Sequence, residues 1–87
     1  MKEIKLSGRE RSVIRAIDFA TGTLGQELLE RTKLAPDDLV DVLNGLMNHG
    51  YAEMRPYADN TSVETLREAT FDVNPSYALL LREAIAR

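Results

Sequence analysis

The segment APDDLVDVLNGLMNHGY, residues 35–51, gathers most of the side chains in this chain that could do chemistry. At about 100° per residue, Asp37, Asp41, Asn44 and Asn48 fall on one arc of a helix, with Asp38, Gly45 and His49 beside it. Asp37 and Asp41, one turn apart, could share a divalent cation, but two carboxylates without a histidine, cysteine or calcium-loop partner make a poor cage. No metal site and no cofactor are therefore expected. His49 is the only histidine and stands next to Gly50. A positive charge there suits the carbonyl end of a helix better than metal or catalytic work. With no cysteine in the chain, thiol catalysis, disulfides and cysteine-based zinc sites are excluded. No nucleophile–base motif or phosphate-cradling glycine loop occurs either, so the chain is expected not to be an enzyme.

The elements that must position these groups follow from capping and periodicity. Ser7 and Glu10 form a capping-box pair, in which each side chain satisfies the other's amide. Val13, Ile14, Ile17 and Ala20 then recur at helical spacing, and Thr21-Gly22 closes the run, so a first helix is expected over about 8–21. Thr23 and Gln26 offer a weaker box opening a second helix over about 24–32, with Leu24, Leu28 and Leu29 inward and Glu27, Glu30 and Arg31 outward. Pro36 suits the first position of a third helix, where its missing N–H costs nothing. That helix runs over about 36–49, with Leu39, Val40, Leu43, Leu46 and Met47 opposite the polar arc. Asp37 and Asp38 lie in its first turn, where the helix dipole favours an anion by roughly 0.3–1 kcal/mol. Asp38 can also reach back to the Ala35 amide as half of a capping box; Asp41 lies beyond that turn.

From Tyr51 the pattern becomes extended. YAEMRPY, the turn-rich ADNTS and REATFDV, with Ala69, Phe71 and Val73 alternating, predict an antiparallel hairpin over about 51–73. Pro56 marks an edge strand or its end, and Val63 to Leu66 fit strand or loop equally. Asn74-Pro75 opens a last helix over about 75–86, with Tyr77, Leu80, Leu81, Ala84 and Ile85 as its apolar stripe. The expected fold is mainly α with a small antiparallel β-hairpin.

A chain of 87 residues with 44% hydrophobic content accommodates a single domain, 1–87, with one core. No apolar run approaches the ~18 residues of a membrane span, and the start lacks a secretory signal. A complete, soluble, cytoplasmic chain without membrane contact is expected. The net charge is -3 and the pI about 5.1, whereas nucleic-acid binders are usually basic. The charge is unevenly placed. Lys2, Lys5, Arg9, Arg11 and Arg15 outweigh Glu3 and Glu10 at the start, with Arg15 positioned to pair with Asp18. Residues 35–54 carry Asp37, Asp38, Asp41 and Glu53 with no Lys or Arg.

In order and wording, ELLERTKLAPDDLVDVLNGLMNHGYAEM and FDVNPSYALLL resemble the winged helix-turn-helix superfamily of small bacterial and archaeal regulators. The resemblance covers nearly the whole chain. It implies a three-helix core, a wing and a C-terminal helix, with the third helix in the DNA major groove and a two-fold dimer. By that resemblance the DNA contacts fall on Gln26, Lys33, Asn44, Asn48, Arg55 and Arg67, and a homodimer forms through the first and last helices, where Leu79-Leu80-Leu81 exceeds what one core contact can bury. The chain departs from the pattern on the outward side of the third helix, where Asp37, Asp38 and Asp41 stand in place of the Arg, Lys, Ser or Gln that a DNA reader usually carries. An alternative follows: a winged-helix protein-interaction module whose face of Asp37, Asp38, Asp41, Asn44 and Asn48 docks a basic partner instead of DNA.

Overall fold

The computed structural model describes residues 3–86; Lys2 of the N-terminal basic cluster lies outside them. The chain runs α1 (Gly8–Ala16), β1 (Thr23–Leu24), α2 (Gly25–Thr32), α3 (Pro36–Asn48), β2 (Ala52–Arg55), α4 (Val63–Leu66), β3 (Thr70–Val73), a 3-10 turn (Pro75–Tyr77) and α5 (Ala78–Ala86). It is mainly helical with a small antiparallel sheet, and that sheet has three strands where the sequence predicts a two-stranded hairpin. Their order is β1-β3-β2, with Thr23 opposite Phe71 on one side of β3 and Met54 opposite Phe71 on the other.

The capping box opens α1 as its residues require: the Ser7 amide donates to Glu10 Oε1 at 2.8 Å, and the Glu10 amide donates to Ser7 Oγ at 3.2 Å. The helix ends at Ala16, five residues before the expected Thr21. Asp18 is the cause. Its carboxylate accepts the amides of Ala20 (2.8 Å) and Thr21 (3.1 Å), while Thr23 Oγ1 accepts the Asp18 amide at 2.8 Å. A short polar side chain bonding its own backbone competes with the helix, and here the turn wins. Arg15 accordingly does not pair with Asp18; its guanidinium Nε donates to the carbonyl of Ile85 at 3.2 Å and closes the end of α5.

Thr23, engaged by Asp18, does not cap α2; Leu24 takes the N-cap position without a side-chain bond and stays 42% exposed, contrary to the inward position predicted for it. Gln26, the other half of that expected box, bonds forward to Glu30 instead. α3 matches its prediction within one residue, and Gly50, at φ 80°, turns the chain out of it. Pro56 both follows the last residue of β2 and belongs to an edge strand's end. Val63–Leu66 is helical, neither strand nor loop, opened by Ser62 and Thr65 bonding each other's backbone. Asn74 accepts the Ser76 amide at 3.0 Å, and the last helix begins there as a single 3-10 turn before continuing as α5.

α1 sits at the centre of the packing, against α2, α3 and α5. Val13, Ile14, Leu28, Leu39, Leu43, Leu46, Leu66, Phe71 and Leu81 have no exposed surface, and each such burial contributes roughly 1.5–3 kcal/mol. Among the described residues no helix is long and apolar enough to cross a membrane.

The Asp18 turn makes acid stability testable. The Ala20 and Thr21 amides donated to its carboxylate hold Asp18 below its ordinary value of 3.8. A carboxyl depressed in the folded state adds stability above its unfolded pKa and loses it as pH falls through the folded value. Asp18→Asn is therefore expected to lower the urea midpoint near neutral pH and to converge with wild type in strong acid. A gap that is constant through the acid range would show that the Asp18 charge adds nothing.

Candidate interaction surface

α3 exposes the row Asp37, Asp41 and Asn48, with Gly45 beside it and Leu39, Leu43 and Leu46 buried behind. Asp37 and Asp41 form no ion pair among the described residues, whereas Asp38 pairs with Arg9 across a 3.6 Å gap. That pair, and not the Ala35 amide, accounts for Asp38. His49 caps the helix end and lays its ring on Tyr51, 5.5 Å between centroids, and Tyr51 meets Tyr77 edge-on at 5.2 Å.

Asn44 is not on the outward row where the sequence places it. Its Oδ1 accepts the Thr61 amide at 2.8 Å, and its Nδ2 donates to the Thr61 carbonyl at 3.2 Å. A residue at the margin of the polar arc has thus become a two-pronged clasp holding the segment before α4 against α3. Thr61 is only 6% exposed, so its backbone needs these bonds.

Of the three basic candidates, Arg55 is engaged in holding the fold. Arg55 Nε donates to Asp72 Oδ2 at 2.8 Å, and its Nη2 donates to Asp72 Oδ1 at 3.2 Å and to the Thr21 carbonyl at 3.1 Å. Sheet register explains why. Glu53 lies directly opposite Asp72, and like charges so placed repel; Arg55 on the same face offsets them. Arg31 joins Glu27 at 3.1 Å and caps α1 through the Ala16 carbonyl at 2.8 Å, and Arg82 lies 4.6 Å above the Phe19 ring.

Lys33 and Arg67 remain exposed, without an ion pair among the described residues, but they lie apart. Lys33 ends α2 in a left-handed conformation, φ 63°. Arg67 sits by its start, where its carbonyl accepts the Gln26 amide at 3.3 Å. The Gly25 amide goes to the Ala69 carbonyl at 2.9 Å. The amide end of α2, a natural phosphate seat in an open helix, is thus occupied by the chain itself. Lys33 and Arg67 thus stand at opposite ends of α2, and Arg55 is held on β2 by Asp72.

Between β2 and α4 the chain forms an open groove of about 670 Å³, floored by Met54, Pro56 and Ala69. A second of about 470 Å³ lies between the end of α3 and the loop after β2. Tyr57 and Ala58 line both, and Tyr57 is 83% exposed with its hydroxyl donated to Asp59 at 2.7 Å. None of these loop residues stands out by residue type. The only sequence signal is Ser62 three residues before Thr65, a capping pattern inside the turn-rich stretch. On α5 the leucine run divides: Leu81 is buried, Leu80 half-buried and Leu79 67% exposed.

No protein-family model, no curated protein and no solved structure matches the chain. Among the described residues, no three His, Asp or Glu side chains gather where a metal could be held. Chemically the surface offers carboxylates on a rigid helix, apolar grooves and few free cations.

Proposed function

We propose that the chain is a winged-helix domain acting as a non-enzymatic protein-interaction module, in which the acidic row of α3 receives a basic surface of another protein. The order of elements supports the fold reading. Three helices, the antiparallel pair β2 and β3, and a closing helix occur in the order that the sequence resemblance implies, with β1 and the short α4 added to it.

One observation carries the functional reading. With Asn44 clasped to Thr61 and Arg55 held by Asp72, the outward side of α3 is left with Asp37, Asp41 and Asn48. A carboxylate about 4 Å from a phosphate is repelled by about 1 kcal/mol even in a water-like dielectric. No Lys or Arg on α3 offsets that. The same charges attract the ammonium and guanidinium groups of a protein partner.

Fluorescence anisotropy separates the two kinds of ligand. Labelled generic duplex DNA and labelled oligolysine are each titrated with the protein from ~20 to ~200 mM salt, a range over which phosphate contacts weaken steeply. The duplex is expected to stay unbound at the lowest salt and oligolysine to bind. Replacing Asp37 and Asp41 by Asn should weaken oligolysine binding about threefold for each exposed carboxylate removed. Salt-sensitive duplex binding, strengthened by Asp41→Asn, would overturn the proposal and make the domain a DNA binder.

A further inference from the structure

The acidic row of α3 does not end at Asn48. That side chain is also a wall of the smaller groove, and the smaller groove shares Met54, Tyr57 and Ala58 with the larger one. Through Asn48, Met54, Tyr57 and Ala58 the end of the α3 row and the two grooves share walls and form a strip. Its floor is apolar where Met54, Pro56 and Ala69 lie. Its walls are acidic: Glu64 and Glu68 line the larger groove, Glu53 and Asp59 the smaller, and no Lys or Arg lines either. Tyr57 stands exposed at the junction, a ring face that attracts cations.

We infer that this strip is a peptide-docking groove, and that its occupant is a segment of a partner protein in which apolar side chains are flanked by Lys or Arg. The inference rests on the interaction-module reading and names where the partner anchors. Apolar side chains of the segment leave water against Met54, Pro56 and Ala69, which supplies affinity. Its cations lie along Tyr57, Asp59, Glu64 and Glu68, which supplies the choice of partner. A nucleic acid fits neither half: its phosphates meet carboxylates, and it brings no flexible apolar chain to the floor. One side of the groove is held in place, because Asn44 holds Thr61 to α3 and Ser62 with Thr65 holds the turn of α4. A preformed site avoids the ordering cost that a mobile loop would add on binding.

The probe is a short synthetic peptide in which leucines alternate with pairs of lysines. Two controls carry serine in place of every leucine, or glutamate in place of every lysine. Each is titrated into isotope-labelled full-length protein, and backbone amide shifts are followed by NMR. The leucine–lysine peptide is expected to shift Tyr57, Ala58, Glu64 and Thr65, and to bind about tenfold more tightly than either control, the scale of one well-buried anchor. Ala58→Arg places a cation on the wall shared by both grooves and should weaken binding about tenfold. Tyr57→Ala, at a site already 83% exposed, should weaken it without unfolding the chain.

Equal binding of the serine and leucine peptides, with shifts confined to Asp37 and Asp41, would overturn the groove while leaving α3 as an acidic docking face. Equal binding of the glutamate peptide in the groove would overturn the charge selection. Absence of shifts with every peptide would overturn both the groove and the interaction reading.

Discussion

Gly25→Ala is expected to lower stability by about 3 kcal/mol, the upper range for forcing atoms into a packed interior. For a domain of this size that corresponds to a fall of roughly 15 °C in Tm. Gly25 is the first residue of α2 and is buried. A Cβ there would collide with the Leu66 carbonyl oxygen, and it would stand 2.7 Å from the carbonyl carbon and 3.2 Å from the Leu66 Cδ1. Backbone cannot swing aside as a side-chain tip can. The Gly25 amide also donates to the Ala69 carbonyl at 2.9 Å, so retreat of either segment breaks a buried bond. Leu66 itself is fully buried, and its displacement would open the core beneath α4. Gly45→Ala is the matched control. A Cβ at Gly45 meets nothing within 4 Å, and exchanging Gly for Ala inside a helix gains roughly 0.5–1 kcal/mol. Thermal denaturation of the two variants should move in opposite directions. A Gly25→Ala protein within about 0.5 kcal/mol of wild type, the scatter of ordinary surface changes, would mean that α2 and α4 do not meet so closely.

The contrast between these two glycines also explains what the sequence could and could not convey. Ser7 and Glu10 were readable as a helix start because the pair is three residues apart and acts through its own backbone. Gly50 and Asn74 were readable for the same reason. Asp18 was not, because Ile17 and Ala20 continue the helical period of Val13 and Ile14, and periodicity does not register that a carboxylate two residues away will take the amides instead. β1 is too short to show alternation; Thr23 and Leu24 become a strand only because Phe71 and Thr70 lie beside them. Gly25 is likewise silent until Leu66 is placed. The same limit governs the surface. The acidic row of Asp37 and Asp41 follows from spacing on one helix, whereas the grooves depend on how the β2–α4 connection folds back. The loss of Arg55 as a free cation depends on its register with Asp72, a relation between two strands that neither strand carries alone.

Asn44→Ala is expected to cost about 2 kcal/mol, because it leaves both an N–H and a C=O of nearly buried Thr61 without partners. The loss should be local as well as global. Thr61 leads into α4, and α4 packs against α3, so hydrogen exchange of residues 60–66 should accelerate more than that of α1. Asn44→Asp is a sharper probe than alanine. A carboxylate keeps the acceptor for the Thr61 amide at the 2.8 Å position, but it cannot donate to the Thr61 carbonyl, 3.2 Å away in the native clasp. It should therefore fall between wild type and alanine in urea denaturation. A side chain whose only task is to read a base has no reason to affect folding at all. If both variants unfold at the wild-type midpoint, Asn44 is free to turn outward, and the polar arc of α3 again carries an amide able to pair with adenine. If both are destabilised and residues 60–66 exchange faster, Asn44 belongs to the scaffold. The outward chemistry of α3 then rests on Asp37, Asp41 and Asn48, and a ligand rich in phosphate meets carboxylates without a compensating amide from position 44.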